Sequence, residues 1–223
     1  MHALIVLAHP EPESFTAALA HTAADALRTA GWTVELADLA AEGFRPDAGR
    51  HDLTHPPEGP LQLMAAQEQA TATGGYAPDV AREIGRLQQC DLLLTVFPFW
   101  WFSPPALLKG WFDRVFANGI AYGHDPYDEG PLKGKRALAV VAIGGDEAMY
   151  GEAGRAGSIE ALLNPLLHGT FRYCAFDVLK PFLVFEADGP ENAVRESALR
   201  ELSARLTSVA GESPIETRPL RQQ

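Results

Sequence analysis

Apolar runs and amphipathic stripes alternate along the chain. Short, almost continuous apolar runs are typical of strands buried on both faces, whereas apolar residues three or four positions apart indicate helices. Strands are predicted at residues 3–8, 33–39, 91–97, 136–143 and, interrupted by Pro181, within 177–185. Helices are predicted from Phe15 after an N-cap at Ser14 with a stop at Gly31, then at 61–75, from Pro78, at 106–118, 159–171 and 190–209.

This alternation of five strands with helices predicts an α/β fold. The expected architecture is a doubly wound, five-stranded parallel sheet with helices on both faces. Residues 42–60 are polar and rich in Pro, Gly and His, which predicts a surface loop. The sequence has no internal repeat and no linker, so residues 1–211 are expected to form a single domain, with a loose tail at 212–223.

Composition narrows the functional classes. The 223 residues carry a net charge of -11, which argues against nucleic acid or an anionic membrane as the main partner. The two cysteines, Cys90 and Cys174, suit a reducing cytoplasm better than a disulfide scaffold. The N-terminus resembles no signal peptide, and no apolar run approaches the length of a membrane span.

In such sheets, ligands bind outside the carboxyl ends of the strands. The loop after the first strand, residues 9–16, opens a helix, so its unpaired N–H groups favour an anion. Ser14, Thr16 and His9 add side-chain donors, which together predict a phosphate site without glycines. The alternative is a plain N-cap beside a loop histidine, because serine N-caps are common.

The loop after the third strand is strongly aromatic. Five of the six residues from Phe97 to Phe102 are aromatic, and Pro104-Pro105 follow. Aromatic side chains at a strand end offer a flat wall to a planar ring system. A buried hydrophobic plug or a dimer contact is the alternative.

The loop after the fourth strand, beginning at Ile143, contains Gly144-Gly145 and then Tyr150. Paired glycines let the backbone approach a ligand closely, and the tyrosine could place a phenol against it, although an ordinary turn would look the same. Phosphate donors, an aromatic wall and glycine backbone donors at one sheet edge together predict a flavin site.

The residues of these loops also carry a family resemblance. The chain resembles the NAD(P)H:quinone oxidoreductase family, the DT-diaphorase and quinone reductase 2 group, from about residue 3 to residue 215. The matching segments are Ala8-His9-Pro10-Glu11 with Ser14-Phe15, Phe97-Pro98 through Trp101-Phe102, Pro105-Ala106, Leu108-Lys109-Gly110-Trp111-Phe112, Arg114-Val115-Phe116, Ala121-Tyr122, Tyr127-Asp128, Gly130-Pro131, Gly144-Gly145, Met149-Tyr150 and His168-Gly169-Thr170.

The resemblance implies a flavodoxin-like fold, FAD rather than FMN, and a homodimer with its active site at the subunit interface. It implies two-electron, ping-pong reduction of quinone-like acceptors by NADH or NADPH. The FAD contacts it implies are His9, Ser14, Phe15 and Thr16 at the phosphates, Gln62 and Arg195 near the adenine half, Pro98, Phe99, Trp100, Trp101 and Phe102 along the ring, and Ile143, Gly144, Gly145 and Tyr150 at the pyrimidine edge. The acceptor pocket it implies comprises Trp101, Phe102, Tyr122, His124 and Tyr173.

The chain departs from the family pattern at several positions. Ala156 stands where the best-known members carry a proton-partner histidine, so we hypothesise that Arg155 supplies fixed positive charge as a second catalytic residue beside Tyr150; the alternative is a solvated loop arginine. Of a three-ligand metal site found in one subgroup, only His168 remains, since Arg172 and Thr217 occupy the other positions. We therefore expect no metal. Ile143 replaces a threonine beside the flavin.

Two other functions stay open at this point. Shorter, FMN-binding relatives act as regulatory subunits of potassium efflux systems, and flavodoxin-type carriers transfer single electrons. The insert at residues 42–75, which includes Gln62, favours the longer FAD type.

Overall fold

The strands form one parallel sheet. In residues 1–123, 125–151 and 153–218, which the computed structural model describes, the order is β2-β1-β3-β4-β5, and β6 also pairs with β4. The strands are β1 (His2–Leu7), β2 (Thr33–Asp38), β3 (Leu92–Pro98), β4 (Arg136–Ala142), β5 (Asp177–Val178) and β6 (Phe182–Val184).

The fifth position of the sheet is filled by two short strands. Both β5 and β6 run parallel to β4, with Arg136 opposite Asp177 and Val140 opposite Phe182. Pro181 lies between them and has no N–H to donate, so the strand breaks there. The predicted five-stranded sheet is confirmed, with its fifth strand in two pieces.

Helices cover both faces, as predicted. They are α1 (Phe15–Thr29), α2 (Leu63–Thr73), α3 (Pro78–Gln89), α4 (Ala106–Val115), α5 (Ile159–Leu166), which continues as a π-helical turn (Leu167–Arg172), and α6 (Asn192–Leu206). The Ser14 hydroxyl caps α1 by accepting from the N–H of Ala17 at 3.1 Å, and Gly31 takes the left-handed conformation after its end. Among the described helices, none combines the length and apolarity that crossing a bilayer requires.

Two apolar cores flank the sheet. Successive residues of β1 point to opposite sides, so that Leu4 and Val6 join one core while Ile5 and Leu7 join the other. The first core lies under α3, α4 and α5, and the second under α1 and α6. All four side chains are at most 1% exposed, and burying each contributes about 1.5–3 kcal/mol of transfer free energy.

Part of the predicted surface loop at 42–60 is buried. Phe44 and Asp52 are 7% and 3% exposed. Arg114 of α4 explains this: its guanidinium donates to Asp52 Oδ1 at 2.8 Å, to Asp79 Oδ2 at 2.7 Å and to the carbonyl of Arg45 at 2.8 Å. Because the acidic side chain finds a cation inside the protein, a polar loop can fold inward.

The same loop presses on the backbone of α4 at Gly110. An ideal Cβ atom on Gly110 would lie 2.0 Å from the carbonyl oxygen of Pro46, which is far inside contact distance. The loop and the helix can therefore pack this closely only because this position has no side chain.

Residues 212–218 are more closely held than the expected loose tail. The N–H of Ile215 donates to the carbonyl of Val178 at 2.8 Å, and Asn164 Nδ2 donates to the carbonyl of Arg218 at 2.8 Å. The apolar side chain of Ile215 also packs against the core below α5. Residues 219–223 lie outside the described part of the chain.

Candidate functional site

A cavity of about 710 Å³ opens at the carboxyl ends of the strands. It gathers the loops after β1, β3, β4 and β6, as the strand-end rule requires. Its lining residues are His9, Ser14, Phe15, Thr16, Pro98, Phe99, Trp100, Trp101, Ala142, Gly144, Gly145, Tyr150, Ala187, Asp188 and Arg195. We call it the sheet-edge cavity.

One end of the sheet-edge cavity is rich in hydrogen-bond donors. The start of α1 faces it with Ser14, Phe15 and Thr16. The N–H of Glu11 donates to His9 Nδ1 at 3.0 Å, which holds the imidazole against this end of the cavity. Arg195 adds a guanidinium from the first turn of α6, held by the carbonyl of Gly189 and by Asn192 Oδ1. This end suits an anion.

The aromatic loop forms a wall of the sheet-edge cavity. Trp101 and Phe102 both take the left-handed backbone conformation, with φ of 51° and 58°, which is uncommon for bulky residues and stores strain. Trp101 is 93% exposed. Trp100 packs against His9 at 5.4 Å between ring centroids, while Phe99 is buried.

The two glycines after β4 allow side chains to press on the backbone of that loop. An ideal Cβ on Gly144 would lie 2.9 Å from a carboxylate oxygen of Asp188, and one on Gly145 would lie 2.9 Å from the ring of Tyr150. The Tyr150 ring is 8% exposed and meets Phe99 edge-on at 6.1 Å. Within the described residues its hydroxyl has no hydrogen-bond partner, which leaves it available to a ligand.

Several predicted residues do not line the sheet-edge cavity. Phe102 packs edge-on against Phe99 at 6.3 Å but is 45% exposed and lies beside the cavity rather than in its lining. Ile143 is fully buried beside its β4 neighbours, because the loop bends only after it. Gln62 is exposed at the start of α2, and Arg155 is exposed on the turn after Tyr150.

The predicted acceptor-pocket tyrosines lie in a second cavity of about 580 Å³, which we call the tyrosine cavity. Its lining residues are Ala48, Leu63, Met64, Gln67, Lys109, Phe112, Asp113, Phe116, Tyr122, Gly169, Thr170, Tyr173 and Cys174. The Tyr122 and Tyr173 rings are 6.5 Å apart. Burial raises the pKa of Tyr122, with Tyr173 and Cys174 adding to the shift, so its phenol stays protonated at neutral pH. His124 lies outside the described residues.

The sequence interpretation missed some lining residues. Ala187 and Asp188 follow the end of β6, so the strand-end rule that singled out the other loops would have found them had the loop after the fifth strand been included. Ala142 ends β4 and carries no chemical signal. Gln67 lies inside a weakly patterned helix and could not be distinguished from its polar neighbours.

The position considered for a metal ligand has other contacts. His168 Nδ1 lies 3.3 Å from Thr217 Oγ1, and its ring stacks on Tyr127 at 5.2 Å. Among the residues that the structure describes, no three His, Cys, Asp or Glu side chains are grouped so as to hold a metal ion.

Known proteins resemble this chain over almost its whole length. The sequence model of the family described as Flavodoxin-like fold matches residues 1–206. NAD(P)H dehydrogenase [quinone] 1 of Cavia porcellus is 38% identical over 216 residues, which cover 96% of this chain and 78% of that protein. Ribosyldihydronicotinamide dehydrogenase [quinone] of Mus musculus is 39% identical over 219 residues, with 97% and 95% covered.

A solved structure extends the likeness to three dimensions. The crystal structure of a candidate quinone reductase from Klebsiella pneumoniae superposes with a TM-score of 0.92 at 36% identity and covers 96% of this chain and 87% of that one. The parallel sheet, the loops gathered at its carboxyl edge and these relatives agree with one another. The chain belongs to the NAD(P)H:quinone oxidoreductase family of flavodoxin-like proteins.

Proposed function

We propose that the protein binds FAD and reduces quinone-like aromatic acceptors with NADH or NADPH. The observation that carries the proposal is the sheet-edge cavity, where an anion-binding end, an aromatic wall and two glycines meet. A flavin nucleotide needs these three features, and the names of the relatives point to the same chemistry.

The residues present fit the cofactor. The N-terminus of α1, with Ser14, Thr16 and His9, would hold the phosphates, and Arg195 would extend the positive end towards a second phosphate or the adenine. This additional positive charge, beyond the helix N-terminus, favours FAD over FMN. Gln62 stays proposed as an adenine contact, although it is exposed and outside the cavity.

When bound, FAD would supply the two-electron redox chemistry that links NAD(P)H to the acceptor, with the two substrates reacting in turn as in a ping-pong enzyme. The protein would position the ring against Trp100 and Trp101, with the buried Phe99 excluding water beneath them. Tyr150 would donate its free hydroxyl to the edge of the ring on which negative charge develops.

We propose that the enzyme is a homodimer in which one protomer completes the acceptor pocket of its partner. The sheet-edge cavity and the tyrosine cavity share no lining residue, so Tyr122 and Tyr173 do not line the proposed flavin site of their own chain. Beside the flavin site, Trp101, Phe102 and Met149 are 93%, 45% and 41% exposed, an apolar surface that a second copy would cover.

Purification tests the proposal directly. We expect a yellow protein of twice the chain mass that releases FAD on denaturation and oxidises NADH or NADPH with a quinone panel. Release of FMN would overturn the FAD assignment, and a colourless protein that takes up no flavin would overturn the whole proposal. Negligible quinone turnover with a membrane protein bound would favour the regulatory subunit, and a stable half-reduced flavin on titration would favour the one-electron carrier.

Replacing Tyr150 with phenylalanine tests the proposed donor. A hydrogen bond to developing charge contributes about 1.5–3 kcal/mol, so we expect kcat per bound flavin to fall about tenfold to hundredfold while the flavin content is retained. Arg155→Ala, measured in parallel, is expected to lower kcat only if the exposed arginine acts on the reduced cofactor. An unchanged kcat in Tyr150→Phe would remove the tyrosine from the mechanism.

A further inference from the structure

A buried glutamine connects the tyrosine cavity to the helices below it. Gln67 of α2 is 5% exposed and lines the cavity beside Tyr122. Its Nε2 donates to the main-chain carbonyl of Asp113 in α4 at 3.3 Å, and its Oε1 accepts from the Tyr122 hydroxyl at 3.4 Å. The side-chain amide therefore has a separate partner at each end.

These two contacts fix the direction of the amide. A main-chain carbonyl can only accept, so the amide nitrogen must face Asp113 and the amide oxygen must face Tyr122. The Tyr122 hydroxyl has one proton to donate, and the amide oxygen can accept that hydrogen bond but cannot donate one. The hydroxyl therefore directs its proton towards Gln67 and away from the rest of the tyrosine cavity.

The backbone on either side of this contact is held as well. The N–H of Gly119 donates to the carbonyl of Tyr122 at 2.7 Å, closing the loop that carries the tyrosine. Thr71, one helical turn after Gln67, donates its hydroxyl to the carbonyl of Asn118 at 2.8 Å. Helix α2 thus holds both the loop and the phenol, and a rotation of either one would break a hydrogen bond to this helix.

We propose that Gln67 sets the specificity for the reducible substrate. By receiving the hydroxyl proton of Tyr122 in a hydrogen bond, it leaves that hydroxyl able only to accept hydrogen bonds inside the tyrosine cavity. A phenol that already donates its proton to Gln67 presents only lone pairs to the cavity. It therefore favours planar substrates that carry a hydrogen-bond donor, such as a ring amino or amide group. A plain quinone offers only carbonyl oxygens and gains nothing from it. Gln67 is a positioning residue, and the inference rests on the proposed function.

The test compares two nearly isosteric acceptors, menadione and its analogue in which an amino group replaces the ring methyl. Binding to the flavin-saturated protein is measured by quenching of tryptophan fluorescence, alongside kcat/KM. Gln67→Met keeps the length of the side chain but removes both polar contacts. Because the freed phenol can then donate to a quinone carbonyl, we expect the preference for the amino analogue over menadione to fall about threefold to tenfold.

Two further variants separate specificity from structure. Gln67→Glu still accepts from Tyr122 and should restore the preference, whereas in a Tyr122→Phe background the Gln67→Met substitution should no longer change it. An unchanged preference in Gln67→Met, or an equal loss of both acceptors, overturns the inference. Because binding is read without turnover, quinones that bind with the expected preference but are not reduced would refute the proposed function alone.

Discussion

Replacing Arg114 with methionine is expected to lower the free energy of unfolding by about 3–5 kcal/mol. The guanidinium is 1% exposed, and its removal leaves the carboxylate of Asp52, itself nearly buried, without its cation. The carbonyl of Arg45 and the carboxylate of Asp79 lose a donor as well, and Phe44 loses the cation 4.7 Å above its ring. Urea denaturation followed by circular dichroism measures the change.

Lys109→Ala is the matched control for Arg114. Lys109 lies on the same helix and pairs with Asp113, but its side chain is 61% exposed, so its loss is expected to cost only about 0.5 kcal/mol. Equal losses in the two variants would contradict the view that the cost at Arg114 comes from leaving the buried carboxylate of Asp52 without its cation.

The ion pair between Arg114 and Asp79 should also make the free energy of unfolding depend on pH. Burial of Asp79 disfavours its ionised form, but the hydrogen bond and charge of Arg114 outweigh this and lower its pKa. A carboxylate with a lowered pKa stabilises the fold fully above its unfolded value, about 3.9, and loses that contribution as the pH falls through the folded value. Acid titration should therefore show a smaller stability loss below about pH 4 in Arg114→Met than in the parent.

Substituting alanine for Gly110 is expected to destabilise the protein at the upper end of the range for overpacked sites, about 3 kcal/mol. The new methyl group would meet the main chain at Pro46 rather than a flexible side chain, so the loop and α4 must separate. Separation would also disturb the contact between Arg114 and the carbonyl of Arg45. Thermal and urea denaturation both report the change.

Gly85 of α3 offers a matched control, because a Cβ atom there would meet nothing closer than Gln89 Nε2 at 4.0 Å. Gly85→Ala is expected to leave stability unchanged or to raise it by about 0.5–1 kcal/mol, since alanine favours the helix. If both alanine variants proved equally stable, the close approach at Gly110 would not constrain the fold.

Local patterns predicted the sheet and most of the sheet-edge cavity. Alternating apolar runs gave five strands, and Pro181 marked the break in the last one before the structure placed β5 and β6 beside β4. The rule for strand ends then placed Ser14, Trp100 and Gly144 around a single cavity because it follows from topology alone.

Long-range polar contacts could not be predicted in the same way. Nothing in the sequence pattern of α4 marks Arg114 as buried or names Asp52 and Asp79 as its partners, 62 and 35 positions away. Gln67 and Tyr122 are 55 positions apart, and their contact depends on how α2 packs against the loop after α4. Such contacts are set by tertiary packing, which a local pattern does not contain.

The segment after Gly211 has a consequence for solubility. A sheet edge with unpaired N–H and C=O groups is a template on which another chain can add a strand. Here the outer strand is broken at Pro181, and the N–H of Ile215 donates a hydrogen bond to the carbonyl of Val178. The N–H of Ile215 thus takes up a main-chain carbonyl that a strand added at this position would need.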